Sequence, residues 1–185
     1  MTTLHIKNMV CDRCKKVIKD ELTTLGVKVY SIELGVLEID AKSVDLESIA
    51  GTIQAHGFEL IESKEEIIVE RIKVFLISMI DQLPIQRKNK LSTMISDELG
   101  RDYSSLSKAF SQTEHITIEK YFLRLKIEKV KELIQDGSHS FSQIASILDY
   151  ASINHLSAHF KSATGMSMSE YRKLGTNRKS LDQVS

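Results

Sequence analysis

The C-terminal part of the chain contains an internal repeat, so its fold must contain one helical unit twice. Before a turn, Ile95 and Leu99 recur as Ile144 and Leu148. After it, a second set recurs with an offset one residue longer, in which Leu106, Ser107, Phe110 and Tyr121 match Leu156, Ser157, Phe160 and Tyr171. A turn between helices absorbs a one-residue difference in length. Each copy is therefore predicted as a short helix, a turn and a second helix.

The second helix of each copy is predicted to have an inward face at helical spacing. The inward residues are Tyr103, Leu106, Ser107 and Phe110 in one copy and Ile153, Leu156, Ser157 and Phe160 in the other. Gly100 lies at the first turn, where a left-handed backbone is often required. Asp102 and Ser152 are suitable N-caps for the two second helices.

The outward faces of these helices carry small and polar side chains that suit base edges and phosphates in a major groove. The candidate DNA contacts are Ser104, Ser105, Lys108, Gln112, Asn154, His155, His159 and Lys161. Between the two copies, residues 118–135 are predicted as one helix of about 27 Å. A spacer of that length suits two motifs that enter successive major grooves, about 34 Å apart. The alternative is a helical bundle built by duplication, without a DNA role.

Residues 66–174 resemble the DNA-binding domain of AraC-type transcription regulators. The resemblance lies in YFLRLKIEKVKELI, residues 121–134, and IASILDYASINHLSAHFKSATGMSMSEYRK, residues 144–173. It implies two helix-turn-helix motifs and double-stranded DNA as partner. The chain departs from the family pattern at Lys126, at Asp149 and Tyr150 in place of Gly-Phe, and at Met168 in place of Pro. Asp tolerates a left-handed turn, but Lys126 lacks the two-pronged donor geometry of Arg, which puts one contact in doubt.

The N-terminal part shows a different pattern, with strands and helices in alternation. Its order is strand, helix, strand, strand, helix, strand, which is the ferredoxin-like βαββαβ arrangement. The predicted fold class is thus an α+β ferredoxin-like domain followed by an all-α domain with two helix-turn-helix motifs joined by a long helix. The predicted domains are residues 1–63 and 64–175, followed by a disordered tail at 176–185.

The two cysteines of the chain, Cys11 and Cys14, stand three residues apart where the first helix begins. The positive end of a helix favours thiolates, and two thiolates at this spacing suit a soft ion such as Cu(I). With Met9 and the order of elements, residues 2–63 resemble the heavy-metal-associated domain of copper chaperones and metal pumps. That resemblance implies two cysteine ligands and a packing role for Met9.

Other interpretations of the cysteines remain open: Zn²⁺ binding with Asp12 as an added oxygen ligand, thiol redox sensing, or a domain that no longer binds metal. His56 is better explained as a solvated residue at a helix end than as a third ligand. A thioredoxin-like site is disfavoured because the chain contains no Trp and its one Pro lies outside this domain.

Residues 64–83 are predicted as a very apolar helix that ends before Pro84. It is expected to pack on the helices that follow, or to contact the N-terminal domain or a second copy of the chain as a homodimer. No apolar run reaches the length of a membrane span, and the N-terminus lacks the features of a signal peptide. A cytoplasmic protein is therefore expected.

The formal net charge of the chain is +0, so charge does not by itself indicate a nucleic-acid partner. No carboxylate pair, nucleophile triad or phosphate-binding glycine loop indicates an enzyme. We therefore predict a sequence-specific DNA-binding transcription regulator controlled by a soft metal at the cysteine pair. The alternative is a metal-trafficking or thiol redox-sensing protein whose helical half is a docking module.

Overall fold

The computed structural model describes residues 1–40, 45–85 and 89–174. The chain divides into two compact units, Met1–Val74 and Phe75–Ser185. The tail predicted at 176–185 lies outside the described residues. Among the described helices, none is both long enough and apolar enough to cross a membrane.

The first unit is a small antiparallel sheet with two helices. Its elements are β1 (Thr2–Lys7), α1 (Asp12–Thr24), β2 (Lys28–Glu33), β3 (Val36–Asp40), α2 (Leu46–Gln54) and β4 (Glu59–Ile61). The strand order is β2-β3-β1-β4, with antiparallel pairing throughout. Ile18 and Leu22 on α1 and Ile49 and Ile53 on α2 are buried with the inward strand residues, at the four-residue spacing that places side chains on one helix face. One apolar core therefore holds the sheet and both helices together.

Helix α3 (Lys64–Asp81) begins in the first unit and ends in the second. The second unit continues with α4 (Leu91–Leu99), α5 (Tyr103–Glu114), α6 (Ile118–Asp136), α7 (Phe141–Ile147), α8 (Ile153–Thr164) and α9 (Met168–Leu174). Helix α6 starts after the N-cap Thr117 and ends at Gly137, whose φ is 74°. Buried apolar residues along α6 make it the central helix of this unit.

The repeat is visible in the packing of the second unit. Phe110 of α5 meets Tyr121 of α6 edge to face, with ring centroids 5.5 Å apart, and Phe160 of α8 meets Tyr171 of α9 at 5.4 Å. Within each copy the turn contains a left-handed residue, Gly100 (φ 64°) in one and Asp149 (φ 54°) in the other. The expectation that Asp149 tolerates a left-handed turn is confirmed.

Four of the eight residues predicted on the inward faces are not fully buried: Ser107 and Ser157 are half-buried, and Tyr103 and Ile153 lie at the edge of the core. Ile153 is 37% exposed. Tyr103 is half-buried, and its hydroxyl donates a hydrogen bond to Glu119. Each is the first residue of its helix, and helical spacing alone does not show where the packed surface stops. The predicted caps Asp102 and Ser152 are confirmed, since their side chains accept hydrogen bonds from backbone N–H groups of α5 and α8.

Candidate nucleic-acid interface and cysteine site

The outward face of α5 is open to solvent. Its four predicted contact residues are all exposed, namely Ser104, Ser105, Lys108 and Gln112. The hydroxyl of Ser104 also donates to the carboxylate of Asp102, and this bond lowers the pKa of Asp102. Ser104 therefore takes part in the helix cap, while Lys108 and Gln112 lie one and two turns further along the helix.

The outward face of α8 has a different character, because two of its side chains pack against each other. Asn154, His155 and Lys161 are exposed, whereas His159 is half-buried. The rings of His155 and His159 lie one helical turn apart with centroids separated by 4.3 Å and planes tilted by 55°. The two histidines thus form one surface feature on the face that sequence analysis predicts to contact DNA.

Tyr150 and Lys126 support this histidine pair. The Tyr150 ring meets His155 at 5.8 Å and His159 at 5.9 Å, both edge to face. Lys126 is only 6% exposed, and its Nζ lies 4.8 Å from the centroid of the Tyr150 ring. A cation over an aromatic face is attracted by the ring quadrupole. We refer to Lys126, Tyr150, His155 and His159 as the α8 cluster.

Lys126 contacts the turn that precedes α8. Lys126 Nζ donates a hydrogen bond to the carbonyl oxygen of Asp149 at 3.4 Å. This bond stabilises the left-handed turn that precedes α8. Burial lowers the pKa of His159, and electrostatic interactions with His155 and Lys126 lower it further. Burial raises the pKa of Tyr150 to about 12. The Tyr150 hydroxyl therefore keeps its proton at neutral pH.

The cysteine site lies at the start of α1. Cys11 is the N-cap residue, and its Sγ accepts a hydrogen bond from the backbone N–H of Cys14 at 3.4 Å. The two sulfur atoms are 2.7 Å apart, and both side chains are half-buried. Met9 is fully buried in the core, which agrees with the packing role expected for it. The fold therefore places the two thiols next to each other at the start of α1, and Met9 is part of the core of this unit.

The expectation that the helix end favours a thiolate is wrong for Cys14. Burial, together with the hydrogen bond with Cys11, raises the pKa of Cys14 to about 11. Backbone hydrogen bonds act in the opposite direction but do not outweigh burial. Cys14 packs against the core of the first unit, and desolvation disfavours the charged form of a thiol.

The candidate third ligands are engaged elsewhere. Asp12 forms an ion pair with Lys15, with Asp12 Oδ1 and Lys15 Nζ 2.8 Å apart. His56 Nε2 lies 3.3 Å from Glu21 Oε1. Across residues 1–40, 45–85 and 89–174, no three His, Cys, Asp or Glu side chains are grouped to hold a metal ion. Asp12 and His56 are therefore paired with Lys15 and Glu21 and are not placed as additional ligands beside the two sulfur atoms.

The role of Asn8, which directly precedes the cysteine loop, does not follow from the pattern of apolar and polar residues around it. Its backbone N–H donates to Glu70 Oε1 of α3 at 2.8 Å, and Glu70 is 4% exposed. The Asn8 side chain donates to the carbonyl oxygen of Gly57 at 3.1 Å, and its φ is 69°. The left-handed tendency of Asn was the one local signal for this position.

The helical half of the chain is similar to a known protein family and to solved structures. Residues 95–174 match a family model described as "Helix-turn-helix domain". No curated protein matches the chain. The C-terminal domain of AraT, a response regulator from Geobacillus stearothermophilus, is 21% identical with a TM-score of 0.52, over 64% of this chain and 92% of that chain.

Two further solved structures are similar. A DNA-binding transcriptional dual regulator from Escherichia coli K-12 is 19% identical with a TM-score of 0.50, over 58% of this chain and 90% of that chain. An AraC-type DNA-binding domain-containing regulator from Chromobacterium violaceum is 21% identical with a TM-score of 0.49, over 56% and 91%. The helical half of the chain therefore has the fold of the C-terminal domain of AraT, and residues 95–174 within it match a helix-turn-helix domain. The family match does not reach Cys11 and Cys14.

Proposed function

We propose that this protein is a DNA-binding transcription regulator that reads DNA with the exposed faces of α5 and α8. The observation that carries the proposal is the pair of matched helix-turn-helix units, each with an open, polar second helix. Helix α6 spans 19 residues, and at 1.5 Å per residue it is about 28 Å long. That length supports the entry of both motifs into major grooves on one side of the duplex.

Selection of bound fragments from random double-stranded DNA with the full-length protein tests this proposal. We expect an enriched site with two conserved segments centred about 10 base pairs apart, one for each motif. Asn154→Ala should relax the preference at particular bases in one segment only, at a cost of about 1–3 kcal/mol there. An unenriched pool, with binding equal for all sequences, would remove sequence-specific regulation as the function.

We infer that the first unit is a ferredoxin-like domain that binds one soft metal ion, with Cu(I) favoured. The strand order, the position of both cysteines at the start of α1 and the buried Met9 support this inference. Metal–sulfur bonds are about 2.3 Å long, so the two sulfurs must move apart from 2.7 Å to hold an ion between them. Both side chains are half-buried at the start of α1, Cys11 as the N-cap and Cys14 in the first turn, and rotation of the side chains can separate the two sulfurs.

A second candidate for the cysteine pair is thiol redox sensing. It is favoured by the 2.7 Å between the sulfur atoms, which approaches the length of a disulfide bond, about 2.05 Å. Mass spectrometry after mild oxidation distinguishes the two functions. A redox sensor loses two hydrogens per chain and changes its DNA affinity without metal, whereas a metal sensor changes its DNA affinity only when the ion is bound.

Metal affinity at the cysteine pair should rise with pH. The Cys14 thiol holds its proton below a pKa of about 11, and an ion binds the thiolate. Binding at neutral pH therefore releases that proton, and affinity should increase about tenfold per pH unit for each proton released. Titration calorimetry in buffers of different ionisation enthalpy counts the released protons. An affinity that stays constant between about pH 6 and about pH 8 would contradict thiolate ligation by Cys14.

We propose that α3 carries the signal from the cysteine site to the DNA-binding motifs. In the first unit, Glu70 of α3 accepts the hydrogen bond of Asn8, three residues before Cys11. In the second unit, Asp81 of the same helix forms an ion pair with Lys129 of α6, with Asp81 Oδ1 and Lys129 Nζ 3.4 Å apart. A change in the cysteine loop can therefore act on the helix that joins the two motifs.

Loss of the hydrogen bond between Asn8 and Glu70 should uncouple metal from DNA. In the unaltered protein, metal should change DNA affinity by about 5–150-fold, the usual range of allosteric coupling. Glu70→Met removes the acceptor and should reduce this change to about twofold or less. Glu70→Gln is the matched control, because it keeps an acceptor oxygen. Equal metal effects in the unaltered and Glu70→Met proteins would show that α3 does not transmit through this bond.

A homodimer through residues 64–83 stays a prediction. The most apolar residues of this helix are buried within the chain itself, namely Val69, Ile72, Leu76, Ile77 and Ile80. Ile67, Ile68 and Phe75 remain half-buried and are the residues that a second copy would cover.

A further inference from the structure

The histidine pair on α8 has a geometry that the predicted role in DNA binding does not require. Side chains four residues apart lie on the same face of a helix, and the rings of His155 and His159 are only 4.3 Å apart at their centroids. Two histidines at this spacing on one helix face are the arrangement by which helices supply a pair of imidazole ligands to a transition metal. The pair lies in the second unit and is chemically distinct from the cysteine pair.

The nitrogen atoms of the pair are not all used by the fold. His159 Nδ1 is buried and has no hydrogen-bond partner among the described residues. A buried Nδ1 leaves Nε2 as the nitrogen of His159 that an ion from solvent can reach. His155 is exposed, so its ring can turn toward the same point. Tyr150 packs edge to face against both rings on the same side of α8.

We propose that His155 and His159 together bind one divalent transition-metal ion, with Cu²⁺ bound most tightly. Metal–nitrogen bonds are about 2.0–2.1 Å long, so two nitrogens about 3 Å apart can share one ion. Imidazole suits Cu²⁺, Ni²⁺ and Zn²⁺, and among these the order of stability places Cu²⁺ first. Water molecules complete the coordination.

The α8 cluster also sets a limit on this affinity. The ammonium group of Lys126 lies on the Tyr150 ring and repels a second cation. The histidine pair is the whole protein ligand set, because the described residues contain no group of three ligating side chains. The site is therefore expected to bind divalent ions more weakly than a three-histidine site. It should also favour divalent ions over Cu(I), because Cu(I) prefers thiolate ligands.

Ion binding and DNA binding should exclude each other, a consequence that rests on the proposed DNA-binding function. The metal would lie on the outward face of α8, where His155 and His159 are predicted to meet base edges. The outward face of α8 would then bind either the metal ion or DNA, but not both at once. Divalent-metal binding in the absence of DNA does not depend on that function, so the two claims can fail separately.

Titration of Cu²⁺ into full-length protein with Cys11→Ser and Cys14→Ser, followed by electron paramagnetic resonance, tests the site. The serine background prevents reduction of Cu²⁺ by the thiols. We expect one equivalent with hyperfine splitting from two nitrogens. Because His155 is exposed, His155→Asn should fold as the parent protein does. It should lower the Cu²⁺ affinity by about tenfold or more and remove one nitrogen from the spectrum.

The matched control is His115→Asn, at an exposed position with φ 57° that Asn tolerates. It should leave the affinity and the spectrum unchanged. Loss of the signal in His115→Asn, or an unchanged signal in His155→Asn, would overturn the proposal. DNA that contains the enriched site should also displace Cu²⁺ from the protein that carries Cys11→Ser and Cys14→Ser. Retention of Cu²⁺ in the DNA complex would count against the predicted DNA contacts of α8 and leave the metal site intact.

Discussion

Serine at both Cys11 and Cys14 should abolish tight Cu(I) binding, with a loss in affinity of more than about 100-fold. The two sulfurs are the soft ligands that the first unit brings within 2.7 Å of each other. Alcohols do not replace them, because Cu(I) prefers thiolate to hard oxygen ligands. Competition with a Cu(I)-specific chelator measures the affinity of full-length protein.

Asp12→Asn is the control for this variant. Asp12 is exposed and paired with Lys15, so it should not contribute to a two-coordinate Cu(I) site. Its removal should leave Cu(I) affinity unchanged. If the double serine variant still binds one equivalent as tightly as the parent protein, Cys11 and Cys14 are not the ligands, and metal control through this loop must be abandoned.

Phe160→Ala should destabilise the second helix-turn-helix unit by about 3–5 kcal/mol. Phe160 is fully buried and meets Tyr171 edge to face at 5.4 Å. Truncation removes the transfer free energy of the ring and leaves a cavity beside α9. Phe110 has the same burial and an equivalent contact with Tyr121, so Phe110→Ala should have a similar effect.

Urea unfolding followed by far-UV circular dichroism measures this change, because most helices lie in the second unit. Ser162→Ala on the exposed side of α8 is the control and should change stability by about 0.5 kcal/mol or less. A cost below about 1 kcal/mol for Phe160→Ala would show that the ring is not packed as the duplicated core requires.

The helical repeat could be predicted because local signals agree with one another. Leu106, Phe110, Leu156 and Phe160 are buried as their spacing indicates. The sequence predicts a helix over residues 118–135, and α6 spans Ile118–Asp136, between the N-cap Thr117 and the left-handed Gly137. Helix caps and helical spacing depend on short segments of the chain, so they can be predicted from the sequence alone.

The contacts that join distant segments could not be predicted in this way. Asn8 and Glu70 are 62 residues apart in sequence, and Lys126 and Asp149 are 23 apart. Periodicity identifies which face of a helix is buried but not which residue it meets. The burial that raises the pKa of Cys14 likewise depends on the core beneath it, and the local rule for helix N-termini does not include that core.

The salt dependence of DNA affinity for full-length protein tests the central claim most directly. Lys108 and Lys161 are exposed on α5 and α8 and are predicted to contact phosphates. On a selected site, the logarithm of affinity should fall linearly with the logarithm of salt concentration. Lys108→Ala and Lys161→Ala should each reduce that slope by about 0.9, whereas Lys19→Ala, exposed on α1, should not change it. Binding without salt dependence, or equal slopes in all three variants, would contradict DNA recognition by the two helix-turn-helix motifs.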